Sequence, residues 1–173
     1  MKPQLQKSSR HSKIAGDFGE MLVLYYLSGY GFECACIDHT GIDLLAWPKA
    51  EEKPWGISVK TASRVERRKN EARTLSGSDI EAAERACMTF HAKPYLAIVH
   101  DKIDSVYVLL CSIEKLKKDN VGRKTFRFSF NKEDRKRYRS KEFSGSFIEM
   151  RVKLGAWLKE PNKAPVPTTV SVT

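Results

Sequence analysis

The chain lacks a long apolar run. Its longest is Met21 to Leu27, seven residues, far short of the roughly 18 needed to cross a bilayer. The opening Met-Lys-Pro-Gln-Leu-Gln-Lys-Ser-Ser-Arg has no apolar segment of the kind a signal peptide carries. A cytoplasmic protein with no membrane partner is the expectation. Cysteine is scarce: Cys34, Cys36, Cys87 and Cys111, with no C-x-x-C pair, and His11, His39, His91 and His100 show no zinc-ligand spacing. That pattern predicts buried reduced thiols rather than a zinc site or a disulfide framework. No internal repeat and no second domain boundary is visible.

Acid is missing from the first 15 residues, which carry +4. Residues 16–112 carry −3 and residues 113–173 carry +9, for a net +10 in a 173-residue chain that is 41% hydrophobic and 30% charged. One globular domain with a sizeable core fits that size. A near-neutral centre between basic ends suits a polyanion partner, while lysine kept for solubility alone is the plain alternative.

Two strand-length apolar runs each hold one charge: Gly41-Ile-Asp-Leu-Leu-Ala-Trp47 with Asp43, and Trp55-Gly-Ile-Ser-Val-Lys-Thr61 with Lys60. Alternation puts Trp55, Ile57 and Val59 on one face, expected to be core, and Gly56, Ser58 and Lys60 on the other, expected to be small and polar. Charges in such surroundings are costly unless paired, hydrogen-bonded or metal-bound.

Around this pair the elements read in order. Ser12 is placed to cap a helix to about Gly29. Its Met21–Leu27 body is apolar on every side, which predicts burial all round. Gly16 and Gly19 leave a bare patch for a close approach, and Glu20 follows it. Phe32–Ile37, Ile42–Trp47 and Trp55–Ala62 read as strands, the first two joined by the turn Asp38-His39-Thr40-Gly41. The polar stretch 63–77 reads as a loop or frayed helix. Ser78 or Asp79 is placed to cap a helix to about His91 with Ile80, Ala83, Cys87 and Phe90 as its buried stripe. Tyr95–His100 and Val106–Leu110 read as antiparallel strands, Ser112 to Lys118 as a short basic helix, and Arg123–Phe130 as an edge strand. Asn131–Lys141 is the most basic stretch, with Phe128, Phe130 and Tyr138 nearby either to stack on bases or to fill the core. Phe147–Leu158 closes the ordered part. The division expected is a basic arm over 1–11, a domain over 12–158 (core 12–111, basic extension 112–158) and a Pro/Thr/Val-rich tail over 159–173.

Gly16-x-x-Gly19-Glu20, Gly41-Ile42-Asp43-Leu44 and Ser58-Val59-Lys60, in that order on helix, strand and strand, resemble the PD-(D/E)xK nuclease superfamily. That superfamily includes restriction-endonuclease-like enzymes and archaeal Holliday junction resolvases. The match covers about residues 12 to 111. The resemblance implies a single α/β domain with an αβββαβ core, a central mixed sheet flanked by helices. It implies a metal-dependent endodeoxyribonuclease acting on double-stranded or branched DNA, in repair, recombination or restriction. Asp43, Glu20 and the Val59 carbonyl would hold Mg²⁺ or Mn²⁺, and Lys60 would activate water and neutralise the phosphate. Arg64, Arg67, Arg68, Lys132, Arg135, Lys136, Arg137 and Arg139 are the expected nucleic-acid contacts. Ser58 stands where the pattern has an acidic ligand. Three arrangements are open: Glu20 supplies the carboxylate, Glu33 or Asp38 folds in, or the chain binds nucleic acid without cutting it. Oligomeric state is open as well, homodimers being common among nucleases that cut both strands.

Overall fold

The computed structural model describes residues 8–63, 72–102, 105–140, 143 and 145–151. Eight strands and four helices are present among them: α1 (His11–Gly29), β1 (Glu33–His39), β2 (Ile42–Trp47), β3 (Trp55–Ser63), β4 (Ala72–Ser76), α2 (Gly77–Thr89), β5 (Lys93–Asp101), β6 (Ser105–Ser112), α3 (Ile113–Asp119), β7 (Thr125–Ser129), α4 (Lys132–Tyr138) and β8 (Gly145–Arg151). Six strands form one sheet in the order β1-β2-β3-β5-β6-β8, and β4 pairs with β7 in a separate two-stranded ribbon. Only β3 and β5 run parallel, residue for residue from Trp55↔Lys93 to Ser63↔Asp101, while the other pairings are antiparallel. The class is α/β, a mixed sheet flanked by helices, as expected. The parallel pair requires a crossover, and α2 supplies it.

Both faces of the sheet are covered. On one, α1 lays Leu22, Val23 and Leu27 against Leu44, Ile57, Val59, Ala97 and Val99. On the other, α2 and the ribbon bring Ile80, Ala83, Cys87, Leu75, Phe126 and Phe128 onto Ile42, Leu45, Leu96 and Ile98. The sheet's centre is therefore apolar on both sides, as a strand read with a parallel neighbour would be. This corrects the expected polar face of β3: Gly56 packs beneath the Cys87 thiol, and Ser58 is 1% exposed.

Several boundaries and burials shift. The helix α1 starts at His11 with Arg10 at its cap position, and no side chain caps it. It is not buried all round: Ile14, Phe18, Met21 and Tyr25 are exposed along one stripe. The α2 cap is Ser76, not Ser78 or Asp79; its hydroxyl accepts from the Asp79 N–H while the Asp79 carboxylate accepts from the Ser76 N–H, a reciprocal capping box. Stretch 72–76, expected to be irregular, is a strand. Cys36 is exposed and Cys34 half-buried, against the expectation of buried thiols, whereas Cys87 and Cys111 are buried and all four are free. Burial pushes the Cys87 thiol up to about 11 and that of Cys111 to about 12.

Candidate metal and phosphodiester site

Antiparallel pairing of β2 with β3 covers Leu44↔Ile57, Leu45↔Gly56 and Ala46↔Trp55 and stops there. Asp43 lies one residue beyond, where the two strands part. Its Oδ2 accepts a hydrogen bond from the Val59 N–H at 2.6 Å, so the carboxylate takes the place of a missing ladder partner. Within a strand, the N–H and C=O of one residue point to the same neighbour. The Val59 carbonyl therefore opens onto the same gap.

Gly19 brings α1, and Glu20 with it, close to β3. Gly19 is buried, and a Cβ there would collide with the Thr61 side chain. Only a bare Cα lets α1 approach β3 so closely. Gly16, by contrast, faces open space, so the approach the sequence suggested is made at Gly19 by the protein's own strand. Burial and, next, the Asp43 and Asp17 charges raise the Glu20 pKa, opposed by Lys13 and Lys60. Glu20 is thus within electrostatic reach of both Asp43 and Lys60.

Lys60 is half-buried and, by alternation, belongs to the α2 side with Gly56 and Ser58. There it bears on Asp79 in the first turn of α2, whose pKa lies below the ordinary carboxylate range. The Ser76 hydroxyl and N–H bonds are the main causes, with Lys60 and Arg73 adding to them. The link from Lys60 to Asp79 was missed in the sequence, where Asp79 reads as a cap and Arg73 only as one of the basic residues of stretch 63–77. The Ser58 Oγ is buried with no hydrogen-bond partner among the described residues, and so is Thr61 Oγ1. Each is an unsatisfied polar atom against the site.

Glu33 and Asp38 are exposed on β1. Glu33 pairs with Trp47, at the far end of β2 from Asp43. Among the described residues no group of three or more His, Cys, Asp or Glu is arranged to hold a metal. The Asp43 and Glu20 carboxylates and the Val59 carbonyl offer only hard oxygens. Such a set suits Mg²⁺ with several waters retained, and two mutually repelling carboxylates fit a cation between them.

The basic residues fare differently. Arg64, Arg67 and Arg68 lie outside the described residues. Lys132, Arg135, Lys136 and Arg137 are on α4 and Arg139 caps its end. This helix packs against β8, three strands from β3, roughly 14 Å along the sheet at normal strand spacing. Arg135 donates to Tyr107 Oη at 2.6 Å and lies 3.7 Å from Glu149. Arg139 donates to Glu149, and Arg137 sits over the Tyr138 ring with Asp134 at 3.8 Å. Lys132 and Lys136 are exposed. Phe128, Phe130 and Tyr138 are 4%, 0% and 4% exposed, which makes them core rather than a stacking platform.

No protein-family model matches the chain, and no curated protein does. Solved structures do resemble it. A Holliday junction resolvase, Hjc of Archaeoglobus fulgidus, is 20% identical over 66% of this chain and 83% of its own, with a TM-score of 0.47. The bacterial homing endonuclease I-Ssp6803I is 13% identical over 70% of this chain and 80% of its own, with a TM-score of 0.43. A restriction endonuclease in complex with substrate DNA is 15% identical over 88% of this chain and 80% of its own, with a TM-score of 0.41.

Proposed function

We propose that the chain is a divalent-metal-dependent DNA endonuclease that hydrolyses phosphodiester bonds at the parting of β2 and β3. The observation that carries this reading is the single gap onto which Asp43 and the Val59 backbone open, with Glu20 in electrostatic reach of Asp43 and Lys60. Asp43, Glu20 and the Val59 carbonyl would hold Mg²⁺ or Mn²⁺. The ion supplies a water of lowered pKa and polarises the phosphate oxygens. Asp43 is fixed for this task by its bond to Val59, which leaves Oδ1 to coordinate. Lys60 brings its ammonium to the phosphate, offsets charge developing on the phosphate oxygens and orients the attacking water. Glu20 contributes as a ligand only once deprotonated, so activity rises as pH climbs through its raised pKa. The net charge of +10 favours DNA as substrate.

The test is cleavage of plasmid and branched DNA with Mg²⁺ or Mn²⁺. Asp43→Ala lowers the rate at least about a hundredfold, because it removes a metal ligand worth several kcal/mol in the transition state. Cleavage that survives this substitution rejects the site. A second reading, a nucleic-acid-binding protein that cuts nothing, is favoured by one observation: buried Ser58 replaces the acidic ligand. It predicts salt-sensitive DNA binding without cleavage in the native chain, and cutting that switches on in Ser58→Glu.

A further inference from the structure

We propose that the β4–β7 ribbon is the element that reads base edges in the major groove, an inference that rests on DNA being the substrate. The ribbon stands apart from the six-stranded sheet. Its register is Ala72↔Ser129, Thr74↔Arg127 and Ser76↔Thr125 on one side, alternating with Arg73↔Phe128 and Leu75↔Phe126 on the other. Leu75, Phe126 and Phe128 anchor the second set in the core. The first set faces outward: Thr74, Ser76, Thr125 and Arg127 are exposed. A B-DNA major groove admits a two-stranded ribbon of this kind, and arginine, threonine and serine are side chains suited to its edges.

Three observations favour DNA over any other occupant. Residues 72–76 and 123–129 contain Arg73, Arg123, Lys124 and Arg127 and no acid, so the charge complements phosphate. Among the described residues the side chains of Thr74, Thr125 and Arg127 make no hydrogen bond or ion pair, unlike the arginines of α4. The ribbon covers the same face of the sheet to which Lys60 belongs, and Ser76 at the end of β4 caps the helix whose Asp79 lies near Lys60. A duplex gripped by the outward set thereby lies on the same side of the sheet as Lys60. Arg127 suits the O6/N7 edge of a guanine, and Thr74 opposite it suits a neighbouring base.

The experiment uses the full chain with Ca²⁺ in place of Mg²⁺, a pool of randomised duplexes, and guanine N7 methylation interference on the duplexes recovered. The native protein enriches a sequence preference, and methylation of a guanine N7 blocks binding. Arg127→Ala loses about tenfold to a hundredfold of discrimination at that position and becomes indifferent to its methylation. Thr74→Ala shifts preference at a neighbouring position. Both substitutions are at exposed sites, and an unchanged melting temperature shows that each variant is folded. If both variants enrich the native sequence with unchanged interference, the ribbon is not the reader, yet the nuclease reading stands. If the native chain binds duplexes without preference, the inference fails in the same way. If it binds no DNA at all, the inference and the proposed function both fail.

Discussion

The gap between β2 and β3 and the helix α4 are both dense in charge, but their charges are arranged in opposite ways. On α4, Arg135 and Arg139 close on Glu149, whose side chain is 16% exposed, and Arg137 closes on Asp134. These three arginines have acidic partners, and the pairs to Glu149 tie α4 to β8, while Lys132 and Lys136 stay exposed. Around the gap the Asp43 charge raises the Glu20 pKa, and on β3 the Ser58 hydroxyl is buried unsatisfied. Those groups raise the energy of the folded chain unless something else arrives. Charge count along a sequence therefore does not by itself separate a paired cluster from an unpaired one. What distinguishes a site is charge that the protein's own structure leaves uncompensated.

Substitution can sharpen this contrast. The largest effect is expected at Gly19. Gly19→Ala sets a methyl against the Thr61 side chain and costs roughly 1–3 kcal/mol of stability, more than the gain from helix propensity. It also displaces Glu20, so cleavage falls by an order of magnitude or more. Denaturant unfolding and plasmid nicking measure the two. Next is Arg139→Ala, which strips Glu149 of one partner. A loss of about 1–2 kcal/mol is expected, with DNA affinity changed far less than by Arg127→Ala. A collapse of DNA binding at unchanged stability would instead restore α4 as the nucleic-acid contact.

The smallest effect is at Glu20. Its pKa is raised in the folded chain, chiefly by burial and then by Asp43. The protonated form is the favoured one, so its stabilising contribution is complete at low pH and is lost as pH rises through the folded value. Glu20→Gln should therefore melt slightly above the native protein at neutral pH and match it in acid. Added Mn²⁺ should close that difference by stabilising only the native chain.

Much of the site was legible because it is local. The strand Ile42–Trp47 is bounded by Gly41 and Pro48 and carries an uninterrupted apolar pattern around one acid, and its ends fall where the sequence puts them. Gly19 and Glu20 are adjacent, so the reason for the close approach and its consequence are read together. The ribbon was not legible. Ala72–Ser76 has one large apolar residue, Leu75, and its partner β7 begins about fifty residues later. Pairing of that kind is decided by tertiary packing, not by local propensity. The exposure of Ile14, Phe18, Met21 and Tyr25 was hidden for a related reason. An all-apolar helix body shows no moment, and only the position of the sheet selects which side is covered. The burial of Ser58 was not legible, because alternation predicts two faces but not that α2 covers the second.

The most direct measurement is Mn²⁺ binding to the native chain and to Asp43→Asn, by electron paramagnetic resonance in solution and by anomalous density in a soaked crystal. One bound ion is expected in the native protein, between Asp43, Glu20 and the Val59 carbonyl, and none in the variant. A native chain that holds no ion at that gap, with or without a DNA duplex present, or a variant that binds as well as the native chain, contradicts the account.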